Sequence, residues 1–197
     1  MGHLSSCEKG KTLLEVIGVI GIMGVLTAGA LSGYQYALQN IRSNSVGETL
    51  TSAASNIRKL YSWQRDYREM GKLTSSALIY KLCKEEVFLE GCTINGTEKT
   101  AVVKHALGGD VYVALSKNSN STFEIQYTRL SSAQCYKLVM QDLKFVDVYA
   151  GEQRTSETNT TDDGTPIAQH ASPVSAADAS TICGKDATAM KLNFVFK

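Results

Sequence analysis

The chain has 197 residues, room for one domain of ordinary size and one further apolar segment. Its 20 Lys and Arg stand against 19 Asp and Glu, a net charge of +1 without any basic block, which excludes the charge signature of a nucleic-acid-binding protein. The two prolines, Pro166 and Pro173, lie late, and the composition beyond the apolar segment is that of a compact globular part rather than a disordered tail.

The chain begins with a polar stretch, Met1 to Gly10, that ends in Lys9-Gly10-Lys11. A run from Leu13 to Leu31 follows, about long enough to cross a bilayer as a helix. Glu15 interrupts it after two residues. An ionised side chain deep in a bilayer costs roughly 2.5 to 3.5 kcal/mol, and less near the interface, so a carboxylate kept here asks for a cationic partner. A secretory signal peptide would carry a small-residue cleavage site beyond its apolar run. Here the order is inverted: the polar stretch ends on a glycine, and a cut after Gly10 would leave the hydrophobic segment on the mature chain as an anchor. The plainer reading, an anchor with one glutamate snorkelling to the interface, leaves the glycine, the order of segments and the carboxylate unconnected.

Beyond Gly33 the positions Tyr34, Leu38, Ile41, Val46, Leu50, Ala53, Ile57, Leu60, Tyr61 and Gln64, all but the last apolar, fall mostly three or four apart, with one wider gap at Gly47. That is one face of an amphipathic helix. No proline interrupts Leu13 to Asp66, so the pattern predicts a single helix of about 80 Å, apolar all round over 11–33 and amphipathic over 34–66. Gly18, Gly21, Gly24, Gly29 and Gly33 each cost such a helix roughly 1 kcal/mol relative to alanine in water. Gly29 and Gly33 form a G-x-x-x-G spacing that lets backbones approach, although glycine is common in membrane helices in any case.

Residues 67–197 read as a globular head. Over 67–109 the pattern predicts an irregular connection with a short helix near Ser75 to Leu82, capped by Thr74 or Ser75. Val111 to Leu115 and Phe123 to Tyr127 flank Asn118-Ser119-Asn120 and read as an antiparallel hairpin. Ser131 to Val139 reads as a helix with a capping-box spacing from Ser131 to Gln134. A strand is expected near Phe145 to Tyr149, then an exposed polar loop from Gly151 to Ser172, and a last strand over Met190 to Phe196 with one buried face.

Of five cysteines, Cys7 lies in the polar leader. The other four, Cys83, Cys92, Cys135 and Cys183, form an even set beyond the anchor and read as a disulfide framework with three possible connectivities. Zinc is the weaker reading, because no Cys-x-x-Cys pair occurs and His3, His105 and His170 are scattered. Closing the Cys83 to Cys92 loop would be worth roughly 2.7 kcal/mol, and a Cys135 to Cys183 link, which would clip the loop and the last strand onto the head, roughly 4 kcal/mol. No phosphate-binding loop, zinc-protease or nucleophile-elbow motif occurs, so neither an enzyme nor a cofactor is expected. Asp162-Asp163-Gly164 reads as a solvated turn rather than a calcium site.

The segment Gly10-Lys11-Thr12-Leu13-Leu14-Glu15-Val16-Ile17 resembles the class III signal of type IV prepilins, in which cleavage follows a glycine and a glutamate stands fifth in the mature chain. The continuation from Gly21 to Gly29 resembles the toxin-coregulated branch, the type IVb pilins, and the close match covers Gly10 to Gly33. This resemblance implies an α+β type IV pilin fold: a long N-terminal helix packed on an antiparallel sheet, with a C-terminal region bounded by a disulfide. Cys135 and Cys183 sit where the family's bounding cysteines would be. It further implies a prepilin peptidase that cuts Gly10-Lys11 and methylates the Lys11 amine, an inner-membrane assembly platform, and a helical filament of like subunits. The subunit would span the inner membrane once before assembly and lie in an extracellular pilus afterwards, serving adhesion, aggregation or motility. Glu15 would then meet the Lys11 amine of a neighbouring subunit. Lys11 departs from the family, which usually has phenylalanine, methionine or leucine there. The rival readings are a pseudopilin of a type II secretion system, where calcium often replaces the disulfide, and a membrane-anchored ligand-binding protein.

Overall fold

The computed structural model describes residues 8–116, 119–151, 170–184 and 190–197, with the backbone alone for 8–12. Its first helix, α1, is Glu8–Leu60. The chain divides into two compact units, Met1–Ile41 and Arg42–Lys197. In the first unit every residue from 13 to 37 is exposed, including Leu14, Val25 and Leu26, so this stretch presents apolar side chains on all sides.

The second unit holds the core. From α1 it receives Val46, Leu50, Ala53, Ala54 and Ile57, with Tyr61 just beyond the helix end, each no more than 3% exposed, in the three-and-four spacing of a buried helical face. Tyr34 and Ile41, expected on the same face, are exposed. The helix ends at Leu60, six residues short of the expected Asp66, because tertiary packing captures the chain there. Tyr61 packs edge-on against Tyr67 at 5.8 Å, Tyr67 against Phe123 at 4.9 Å, and the Tyr67 N–H donates to the Asn120 carbonyl at 2.8 Å. The gap at Gly47 also has a packing reason: the Gln141 side chain lies where a Cβ would stand.

A short α2, Arg68–Gly71, precedes α3, Ser75–Lys84, whose N-cap is Thr74, its hydroxyl accepting from the Ala77 N–H at 3.4 Å. The stretch expected to be irregular instead contains a hairpin, β1 Cys92–Asn95 and β2 Thr100–Lys104. Its turn is built by Asn95, whose side-chain oxygen accepts from the N–H groups of Thr97 and Glu98, the local geometry that makes Asn-Gly a hairpin signal.

The other strands are β3 Asp110–Leu115, β4 Phe123–Leu130, β5 Asp147–Ala150 and β6 Met190–Phe196. They form one antiparallel sheet in the order β1-β2-β3-β4-β6-β5. Register puts Val113, Ile125, Phe194 and Val148 in one row across four strands, all buried against the helices. The next row, on the opposite face, is Tyr112, Gln126, Asn193 and Tyr149. That outer face is polar yet largely buried, and its groups satisfy one another. Ser116 and Tyr149 donate to the Glu124 carboxylate at 2.8 and 2.7 Å, Gln126 donates to Asn193 at 2.9 Å, and Asn193 donates to the Gly151 carbonyl at 2.9 Å.

Two helices complete the head. α4, Ser132–Val139, has the expected capping box, with Ser131 and Gln134 each bonding the other's backbone N–H. α5, Ala176–Cys183, capped by Ser175, was not indicated by the sequence pattern.

Candidate functional site

Gly10, Lys11 and Glu15 lie on the one unbroken helix α1, so Lys11 and Glu15 share a face one turn apart. Glu15 is exposed, and among the described residues it has no hydrogen bond or ion pair. The side chain of Lys11 and the leader Met1 to Cys7, with His3, lie outside the described residues. At Gly18, Gly21, Gly24, Gly29 and Gly33 nothing beyond the neighbouring residues and the helix's own adjacent backbone lies within 4 Å of where a Cβ would stand. Open backbone on that side leaves room for close approach by another helix, the use for which small residues suit membrane and bundle interfaces.

The head is held by two disulfides. Cys83, near the end of α3, joins Cys92 at the start of β1 with 6.0 Å between Cα atoms. Cys135 of α4 joins Cys183, the last residue of α5, with 5.8 Å between Cα atoms. Of the three connectivities open from the sequence, the structure has this one. The second bond closes a separation of 48 residues and brackets the polar segment before β6. Most of the polar loop expected over 151–172, including Asp162 and Asp163, lies outside the described residues. His105 is buried beside Thr128, and the His170 backbone N–H donates to Asp147 at 2.9 Å; among the described residues no three metal-ligating side chains gather.

One anchoring group escaped the sequence reading. The Arg58 Nε donates to the backbone carbonyl of Lys197 at 2.6 Å, and its guanidinium lies 5.6 Å from the Phe196 ring centroid. The last residues of the chain are thus tied to α1 by a side chain that periodicity alone assigns to the helix surface.

Residues 40–196 match the family described as PilS N terminal. The chain belongs to this family. Its PilS-type sequence is 26% identical to the major structural subunit of bundle-forming pilus from Escherichia coli O111:H- over 193 residues, covering 96% of this chain and 95% of that one. It is 30% identical to the toxin coregulated pilin of Vibrio cholerae serotype O1 over 137 residues, 67% of this chain and 57% of that one. Among solved structures, the type IV b pilin from Salmonella typhi aligns with a TM-score of 0.53 at 13% identity, covering 77% of this chain and 97% of that one. The resemblance to type IVb pilins, first read on Gly10 to Gly33, therefore extends through the head of this PilS-family chain. So does the expected fold, a long N-terminal helix with an antiparallel sheet and a disulfide-bounded C-terminal region.

Proposed function

We propose that the chain is the structural subunit of a type IVb pilus, cut between Gly10 and Lys11, methylated at the new amine, and polymerised with α1 in the filament interior. The observation that carries this reading is the exposed apolar surface over residues 13–37 of α1 with the unpartnered Glu15 among its first residues. A surface of that extent is not left to water. A bilayer would cover it before assembly, and the helices of neighbouring subunits afterwards. Its relatives named as pilins and pilus subunits support the same reading.

Charge accounts for the register of assembly. In an apolar surrounding an unpaired carboxylate and an unpaired amine are each costly, and bringing Glu15 of one subunit to the Lys11 amine of the next removes both at once and fixes the stagger between them. The amine exists only after cleavage, so the same cut that removes the leader creates the partner. Lys11 adds a second ammonium one helical turn from Glu15, which the usual apolar residue would not. Around this step stand a prepilin peptidase, an inner-membrane platform that extracts the subunit, and a pilus used for adhesion, aggregation or motility.

Two measurements test the reading. The mass of the mature protein should lack Met1 to Gly10 and carry one added methyl; an intact leader would instead favour a membrane-anchored binding protein. Electron microscopy of cells producing Glu15→Ala should show no filaments, and filaments at the normal level would overturn the register mechanism. A gene neighbourhood encoding type II secretion components would favour the pseudopilin.

A further inference from the structure

We propose that the outer face of the sheet carries a saccharide site that reads a sugar carboxylate, with Arg129 as the group that binds it. The inference begins at a β-bulge. Tyr127 pairs with Leu192 and Leu130 with Met190, so three steps along β4 match two along β6, and Thr128 and Arg129 together oppose Lys191. Strict alternation would have turned Arg129 inward and Leu130 outward. The extra residue keeps Leu130 in the core, at 0% exposure, and brings Arg129 to the exposed side.

This arrangement has a conformational cost. Arg129 adopts φ 58°, the left-handed region that favours glycine, asparagine and aspartate. The burial of Leu130 offsets it, and the Arg129 side chain is left, among the described residues, without a hydrogen bond or ion pair. Arg129 lines a groove of about 450 Å³, within the size range of small-molecule sites. The groove also contains Asp110, Lys191, the hydroxyl of Ser75 and the ring of Tyr112, which is 41% exposed.

Arg129, Tyr112, Ser75 and Asp110 each have a use against an acidic sugar. The planar guanidinium matches a carboxylate with two parallel N–H···O bonds. The open face of Tyr112 offers a flat apolar platform for the C–H face of a pyranose ring, and Ser75 and the Asp110 carboxylate can bond ring hydroxyls. Asp110 also disfavours a polyanion: a nucleic-acid backbone or clustered phosphates would meet its charge, and the chain has no basic block to outweigh it. A ligand with one carboxylate and several hydroxyls matches these four groups. The site stands within the head and does not depend on polymerisation.

The test uses the full chain in detergent micelles with both disulfides intact, titrated with 3′-sialyllactose, lactose and inorganic phosphate. Sialyllactose is expected to bind about tenfold or more tightly than either, the scale of one bidentate charge-assisted pair. Arg129→Gly should abolish that preference while leaving the thermal transition unchanged or higher, because glycine relaxes the backbone at this position. Arg129→Lys should weaken sialyllactose binding several-fold, having charge without the fork. Equal binding of lactose, equal binding of phosphate, no binding of sialyllactose, or an unchanged preference in Arg129→Gly would each overturn the proposal.

Discussion

At Gly109 a single methyl group decides whether the head can close. A Cβ there would overlap the Thr128 carbonyl oxygen and crowd the His105 Nε2, and both are fixed, since Nε2 donates to that same carbonyl at 2.9 Å. Gly109→Ala is expected to cost roughly 2 to 3 kcal/mol in a urea titration, as overpacking against backbone does. Gly47→Ala is expected to change stability by less than about 1 kcal/mol, because there the obstacle is the far end of the flexible Gln141 side chain and alanine improves helix propensity. His105 adds a pH dependence. Its Nδ1 accepts from the Leu107 N–H at 3.3 Å while Nε2 donates, so the imidazole is held neutral. Burial lowers its pKa below the ordinary 6.5 against the opposing pull of the Thr128 bond and the Asp110 charge. The unfolded chain therefore takes up a proton more readily than the folded one. Stability is full above about pH 6.5 and falls as pH drops below it, until the folded imidazole is itself protonated. The urea midpoint should decline between pH 7.5 and 5.5, and His105→Gln should decline less over the same range.

Among the elements, the two disulfides differ in what they close. The Cys135→Ser, Cys183→Ser chain is expected to lose roughly 4 kcal/mol and the Cys83→Ser, Cys92→Ser chain roughly 2.7 kcal/mol, because the longer loop gives up more unfolded-state entropy. Thermal melts of the two chains check the order, and equal losses would refute the entropic account. Elements specified by adjacent residues were legible in the sequence. The Ser131 and Gln134 capping box, the Thr74 cap, the β3 to β4 hairpin and the alternation of β6 all declare themselves within a few positions. The β1 to β2 hairpin carried its Asn95-Gly96 signal but only four and five residues of strand, too short for alternation to stand out. α5 is rich in alanine and small polar residues, and its buried face of Ala179, Ile182 and Cys183 gains its meaning from docking on α4. The place of β6 between β4 and β5, and the bulge that turns Arg129 outward, rest on pairings distant in sequence and had no local signature. At the proposed assembly end the roles of Gly10, Lys11 and Glu15 rest on the resemblance of a contiguous segment to the prepilin signal, and they remain proposals for the experiments above.

For the molecule as a whole, the buried apolar core draws, among the described residues, on none before Val46. A chain beginning at Arg42 is therefore expected to fold alone, with both disulfides formed and one cooperative thermal transition, while remaining soluble without detergent. Circular dichroism and a thiol count would check this, and free thiols or a gradual melt would contradict it. The tie between Arg58 and the Lys197 carbonyl belongs to the same unit and should survive in that fragment. The final strand also sets the order of events. Met190–Phe196 lies inside the sheet with Leu192 and Phe194 at 0% exposure, so these residues occupy the middle rather than the margin. Until they arrive, β4 and β5 present two bare edges facing a gap, the kind of surface that pairs with the wrong partner. β6 thus works as a keystone. Closure of the head must wait for β6, and a chain stopped before Met190 would leave an open, adhesive sheet rather than a slightly smaller head.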